Sequence, residues 1–368
     1  MTNALIELGR LGQSPWYDYI TRDLVTDGEL ARLIAEDGLR GMTSNPTIFE
    51  KAVSGSRLYD DDIRELADAG KSPAEIFDTI SAEDVRAACD LFRPVYDASK
   101  HGDGTVSIEV HPDMANDTGA TAREAARLWA LVDRPNVMVK IPGTREGLPA
   151  ITRSTAAGIN VNITLLFSVD RHAEVIDAYL TGLEQRVARG EDISRIYSVA
   201  SFFVSRVDTK VDPLLDAAGD PRKVRGRAAI ANACRAYRLF AETIESPRWL
   251  KLAAKGANAQ RPLWASTSTK DPAYPDIYYV EALIAPDTVN TLPPDTFAAY
   301  KDHGVPRVRI HDEMARAEAD LAGLAASGID LRKVTKELEV EGVKKFSASY
   351  DQLLAGIEAK AAELVQHR

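Results

Sequence analysis

The sequence predicts an α/β protein built as an eight-stranded parallel (β/α)8 barrel, the TIM barrel, with additional helices. Three observations carry that prediction. Eight short apolar runs alternate with amphipathic helical stretches along the 368 residues, the mark of successive βα units and a parallel sheet. The hydrophobic fraction is 45% and the charged fraction 27%, which supplies a large core. No G-x-G-x-x-G turn follows the first run, which disfavours a doubly wound open sheet, the runner-up architecture.

Along the chain, run 16–20 leads, and Thr26-Asp-Gly-Glu29 then reads as a capping box, a hydroxyl N-cap answered by a carboxylate three residues later. The helix it opens carries Leu30, Leu33 and Ile34 on one face and stops near Gly38, where a positive φ carries no penalty. Run 39–43 follows, and residues near 47–103 hold several helices before run 105–110. Thr121-Ala-Arg-Glu124 reads as a second capping box ahead of run 136–141. Run 160–165 leads into a helix after Ser168 with Ile176, Tyr179, Leu180, Leu183 and Val187 at 3.6-residue spacing. Run 195–203 precedes a helical stretch near 207–260, with a charged loop and a helix over 228–244, before runs 261–266 and 287–291. A tail near 305–368 is helical, with Leu353, Leu354, Ile357 and Leu364 on one face. No Gly/Ser/Pro linker separates these stretches, so the expectation is one barrel domain over 1–368 with helices packed outside it.

Composition excludes several classes. The 45 basic residues stand against 55 acidic ones, a formal charge of −10, and no basic patch marks a nucleic-acid binder. No apolar run reaches the 18–20 residues of a membrane span, and Met-Thr-Asn-Ala-Leu-Ile-Glu-Leu is no secretory signal, so no membrane partner is expected. The two cysteines, Cys89 and Cys234, fit a reducing cytosol, hence a cytoplasmic protein. The six histidines (His101, His111, His172, His303, His311, His367) show no H-E-x-x-H spacing and there is no C-x-x-C, so no metal is expected. Neither a phosphate-binding G-x-x-x-x-G-K-[ST] loop nor a G-x-S-x-G elbow occurs.

In such a barrel the chemistry sits at the C-terminal ends of strands. Lys140 lies in the apolar run Val137-Met-Val-Lys-Ile-Pro142, where its ammonium must be paired or its pKa must fall. A lysine of lowered pKa is a nucleophile for ketones and aldehydes; the bland alternatives are a structural ion pair or the solvent end of a strand. Glu109, in Val106-Ser-Ile-Glu-Val110, is a carboxylate inside the preceding run, as costly to bury unless paired or protonated. Glu109 and Lys140 are either an acid–base pair beside an imine-forming lysine or a buried salt bridge. Asp18, in Trp-Tyr-Asp-Tyr-Ile, is a third charge in a run, or simply part of a half-exposed first strand. Asn45-Pro46 reads as a helix cap with proline at N1. Asn162 and Thr164 alternate with apolar residues, as a half-buried strand also would. Ser201 and Arg206 bracket a strand-to-helix turn suited to phosphate, although a surface arginine is the default. Ser266 ends run 261–266.

Taken together, Thr43-Ser-Asn-Pro-Thr47, Val106-Ser-Ile-Glu109-Val, Val137-Met-Val-Lys-Ile-Pro-Gly-Thr-Arg-Glu-Gly147, Asn160-Val-Asn-Ile-Thr-Leu-Leu-Phe167 and Ser201-Phe-Phe-Val-Ser-Arg206 resemble the transaldolases, within the class I Schiff-base aldolases. The segments come in family order, from about residue 12 onward. Trp264-Ala-Ser-Thr and Asp287-Thr-Val-Asn-Thr-Leu-Pro293 resemble the longer, stand-alone bacterial branch. The resemblance implies transfer of a dihydroxyacetone unit between sugar phosphates in the non-oxidative pentose phosphate pathway, with no cofactor. The donor would be sedoheptulose 7-phosphate or fructose 6-phosphate, and the acceptor glyceraldehyde 3-phosphate or erythrose 4-phosphate. It casts Lys140 as the imine-forming lysine and Asp18 as the acid–base group of C–C cleavage. Glu109 and Thr164 would hold the water of imine formation and hydrolysis. Asn45 and Asn162 would bind the dihydroxyacetone hydroxyls, with Ser201 nearby, and Arg206 the phosphate. The smaller transaldolases have a second phosphate arginine after strand seven; here Ser266 with Lys270 stands in that segment. The alternatives are an aldolase releasing free dihydroxyacetone and a non-catalytic barrel that binds sugar phosphate. Assembly stays open, with a homodimer among the options.

Overall fold

The computed structural model of the chain describes residues 3–366. His367, one of the histidines weighed for metal spacing, lies outside the described residues. Eight strands form a closed parallel barrel in chain order: β1 Gln13–Asp18, β2 Gly41–Thr43, β3 Thr105–Glu109, β4 Val137–Pro142, β5 Val161–Leu166, β6 Ser198–Phe203, β7 Arg261–Ala265 and β8 Thr288–Leu292. Each lies within or beside one of the eight apolar runs. Strands buried on both faces read as nearly continuous apolar stretches, and β4, β5, β6 and β8 are buried at every position.

The register sets the site. Across β3, β4 and β5, Glu109 pairs with Lys140 and Lys140 with Asn162, so these three side chains stand in one row. Asp18 of β1 pairs with Thr43 of β2. Below them Trp16, wholly buried, leans on Gly41: a Cβ there would sit 2.5 Å from the indole, so only glycine fits. At the opposite end of the barrel Arg261 bridges Asp103 at 3.0 Å and the Ser14 hydroxyl at 3.0 Å.

β5 is not regular. Its register with β6 shifts between Ile163 and Leu166, and Leu165 takes φ +61°, a left-handed conformation that costs a side-chain-bearing residue energy. Such a bulge re-aims the strand end, here next to Thr164. Ser266, just past β7, is also left-handed, at φ +55°.

Helices fill the stretches near 47–103 and 207–260 and, among the described residues, 305–366, and they share one continuous apolar core with the barrel. Ser168 caps the helix Val169–Ala188, accepting from the Arg171 amide. Gly38, at φ +68°, ends the segment after Glu29–Glu36. The C-terminal helix, Leu331–Gln366, packs across the barrel mouth and buries Leu353 and Ile357.

Both expected capping boxes are corrected. Thr26 ends the helix Arg22–Thr26 and donates back to the Arg22 carbonyl, while the Asp27 carboxylate receives the Glu29 amide. Thr121 lies inside the helix Thr118–Val132 and donates to the Met114 carbonyl; the cap is Asp117, which accepts from the Ala120 amide. At the first site Gly28, at φ +93°, is the N-cap and Asp27 takes a helix-start amide from outside it; at the second an aspartate is the cap itself, a carboxylate being the stronger acceptor for helix-start amides. A true capping box forms at Ser72 and Glu75.

Candidate active site

Lys140 stands in the middle of the wholly buried β4 and is 5% exposed. Its ammonium donates to the Ser44 carbonyl at 3.1 Å and faces Glu109 Oε2 at 3.2 Å. The lysine in this apolar strand is paired. The Glu109 side chain is 4% exposed, and burial, with the Asp18 charge, pushes its carboxyl above the ordinary carboxylate value against the pull of Lys140. A raised carboxyl this close is suited to take the lysine's proton and leave a nucleophilic amine.

Asp18 ends β1 at the cavity rim. Thr43 donates to its Oδ1 at 2.7 Å, and Thr43 and Thr291 share a 2.6 Å hydroxyl contact. Burial raises the Asp18 carboxyl; the charge of Lys140, the Thr43 bond and the charge of Arg206 oppose the rise. Asp18 is thus poised to hold and return a proton beside a cation.

On β5, Asn162 is held at both ends: Nδ2 donates to the Ser107 hydroxyl at 3.0 Å and Oδ1 accepts from Ser201 at 2.6 Å. The second Nδ2 hydrogen remains for a substrate oxygen. Two buried oxygens, Glu109 Oε1 and Thr164 Oγ1, have no hydrogen-bond partner among the described residues. Both atoms are open to a hydrogen bond with water or substrate. Asn45 is the helix cap the sequence suggests, accepting from the Ile48 amide, and it also lines the cavity.

One cavity of about 550 Å³ at the C-terminal end of the barrel gathers eight of the ten expected residues: Asp18, Asn45, Lys140, Thr164, Ser201, Arg206, Ser266 and Lys270. Glu109 and Asn162 stand behind its wall, bonded to Lys140 and Ser201 respectively. Arg206, in the first turn of the helix Ser205–Ala217, lies over the Phe203 ring at 4.9 Å and has no carboxylate partner among the described residues. Ser266 meets the Ser205 hydroxyl at 3.1 Å, and the Lys270 ammonium donates to Ser268 at 2.7 Å. Sequence reasoning missed Ser107, Phe203 and Lys51, and from the C-terminal helix Lys345 and Phe346, whose ring centroid is 5.7 Å from Lys140 Nζ. Nothing local could have flagged Ser107, whose partner Asn162 lies two strands away, or placed the distant helix.

Among the described residues one metal-ligating group converges, Asp78, His111 and Glu124, with ligand atoms within 4.8 Å of one another. Arg127 lies between its carboxylates, 2.7 Å from Asp78 and 2.6 Å from Glu124. The group is therefore a closed ion-pair network with a guanidinium already at its centre. No helix among the described residues is long and apolar enough to cross a membrane.

Comparison with known proteins bears on this arrangement. Residues 15–357 match the family model described as Transaldolase/Fructose-6-phosphate aldolase. The chain is 53% identical over 359 residues to a protein of Acidothermus cellulolyticus named Transaldolase, covering 97% of this chain and 96% of that one. It is 51% identical over 357 residues to a Transaldolase of a Parafrankia species, covering 96% and 97%. A Transaldolase of Trichodesmium erythraeum is 46% identical over 376 residues, with 99% of both chains covered.

Proposed function

The chain belongs to the transaldolase/fructose-6-phosphate aldolase family, and we infer that it is a transaldolase acting in the non-oxidative pentose phosphate pathway. It moves a dihydroxyacetone unit from sedoheptulose 7-phosphate or fructose 6-phosphate to glyceraldehyde 3-phosphate or erythrose 4-phosphate. The observation that carries this reading is Lys140, buried at 3.2 Å from Glu109 and opening on the same cavity as Asp18.

Cleaving the C3–C4 bond of a ketose needs a sink for the electron pair, and a protonated imine is such a sink. Lys140, relieved of a proton by Glu109, adds to the donor's C2 carbonyl; loss of water gives the iminium. Glu109 and Thr164, with their free oxygens, hold that water and later direct its return. Asp18 takes the C4 hydroxyl proton as the bond breaks, and the aldehyde leaves. Such a general base is worth about 10²–10⁴-fold in rate. The three-carbon carbanion stays on Lys140, its hydroxyls bonded by Asn162 and Asn45. It then adds to the acceptor aldehyde, Asp18 returns the proton, and hydrolysis frees the lysine. Arg206, with Ser266 and Lys270, holds the phosphate. The mechanism uses no cofactor.

On this reading the three helical stretches belong to a single domain over 1–368. Both cysteines are free and buried, in keeping with a reducing, cytoplasmic setting.

The testing experiment separates transfer from release. Fructose 6-phosphate alone should give a burst of glyceraldehyde 3-phosphate limited by the enzyme present, and erythrose 4-phosphate should then sustain turnover to sedoheptulose 7-phosphate. Sustained release of free dihydroxyacetone without acceptor would instead identify an aldolase. Binding without any aldehyde product would identify a silent barrel.

A further inference from the structure

We infer that Lys345, carried by the C-terminal helix, is a phosphate-gripping residue that makes this enzyme select phosphorylated over unphosphorylated sugars. The inference rests on the transaldolase reading of the cavity and adds a specificity-determining residue to it.

Besides Lys51 and Lys140, the cations Arg206, Lys270 and Lys345 line the cavity, in a protein whose formal charge is −10. The cavity's carboxylates, Asp18 and Asp295, form no ion pair with any of the three among the described residues. The cations are near enough to act on one another: the Lys270 ammonium is pulled down first by burial, then by Arg206 and Lys345. Arg206 feels the Asp18 charge without pairing with it, and like charges gathered without a paired carboxylate raise the energy of the site and lower it again when an anion arrives.

The acids nearest Lys345 on its own helix are engaged elsewhere. Glu337 lies 2.8 Å from Lys210, which also pairs with Glu341, and Glu339 lies 2.9 Å from Lys336 and 3.5 Å from Arg171. Lys345 itself is exposed, with no hydrogen-bond or carboxylate partner among the described residues. Gly342 brings this helix against β5: a Cβ there would lie 3.0 Å from Leu165 Cδ2. The next turn then carries Lys345 and Phe346 to the cavity.

The ligand chemistry follows. A sugar phosphate presents a dianion at the end farthest from its imine carbon, and the two donors differ by one carbon in that distance. Arg206 offers a planar fork at one depth, whereas a lysine on a flexible four-carbon stem can follow the phosphate to either.

The test compares kcat/KM for fructose 6-phosphate and for fructose in the wild type, Lys345→Met and Lys345→Arg. A charge-assisted contact of this kind predicts that the phosphate-to-free-sugar ratio falls roughly 10- to 100-fold in Lys345→Met, chiefly through KM. Lys345→Arg should restore most of it, and inorganic phosphate should inhibit Lys345→Met more weakly than wild type. An unchanged ratio overturns the inference. Borohydride trapping at saturating fructose 6-phosphate is run in parallel. An unchanged ratio with Lys140 still trapped removes only the role of Lys345. A wild type that traps nothing on Lys140 removes the underlying reading as well.

Discussion

Replacing Glu109 by glutamine keeps the shape of the side chain and removes the charge facing Lys140. At 3.2 Å, with an effective dielectric constant of about 20, the lost attraction is about 5 kcal/mol. The Ser44 carbonyl at 3.1 Å remains, but a neutral acceptor offsets only part of that loss. Breaking one side of a buried ion pair typically costs about 3–5 kcal/mol, and a lysine can limit the cost by releasing its proton. Two measurable consequences follow. Urea denaturation of Glu109→Gln should show a loss of up to about 3–5 kcal/mol, and the double variant Glu109→Gln/Lys140→Met should be less destabilised than the sum of the two singles. Turnover with fructose 6-phosphate and erythrose 4-phosphate should fall about 10²–10⁴-fold, because the water of imine formation and hydrolysis loses its base. Wild-type turnover in Glu109→Gln, or additive stabilities in the cycle, would refute the coupling of these two residues.

Other expectations follow from the same geometry. Asp18→Asn should slow C–C cleavage about 10²–10⁴-fold yet still allow an imine to be trapped. Because burial raises both the Asp18 and the Glu109 carboxyls, the acid limb of the wild-type kcat/KM profile should lie above the ordinary carboxylate range, and in this variant the part of it owed to Asp18 should disappear while that of Glu109 stays. Ser107→Ala removes the acceptor of Asn162 Nδ2 and should cost about 1–3 kcal/mol in chemical denaturation, with a higher KM for donor. His172 is buried with neither ring nitrogen bonded among the described residues, and burial lowers its pKa to about 4. The unfolded chain binds this proton below about pH 6.5 and the folded chain only near 4, so stability falls as pH drops through that window. The loss is about 3 kcal/mol at 1.36 kcal/mol per unit. His172→Leu should flatten that slope in denaturation measured from pH 7 to 4; an unchanged slope would exclude His172 as its source.

The barrel was legible because its strands lie between interior and helices, so their sequences carry apolar runs that no solvent-facing pattern blurs. The charges were legible for the same reason: Lys140 and Glu109 interrupt runs where burial is costly without a partner. Their role was not, since a buried ion pair and a nucleophile with its base share one pattern in sequence and are one object in space. The caps failed at Thr26 and Thr121 because a threonine followed by glutamate three residues later competes with nearby aspartates, and the pattern does not rank acceptors. Ser107 carries no signal of its own in the sequence, because it meets Asn162 from two strands away, past β4. Lys345 and Phe346 lie some two hundred residues beyond Lys140, on a helix whose amphipathic pattern shows which face is buried but not what it covers.

The central claim is that Lys140 is the nucleophile. The most direct measurement is borohydride reduction in the presence of fructose 6-phosphate, followed by peptide mass spectrometry. The account predicts a single dihydroxyacetone-sized adduct on Lys140, absent from Lys140→Ala, which should also lose turnover. An adduct on Lys51, Lys270 or Lys345 instead, or full turnover in Lys140→Ala, would contradict it.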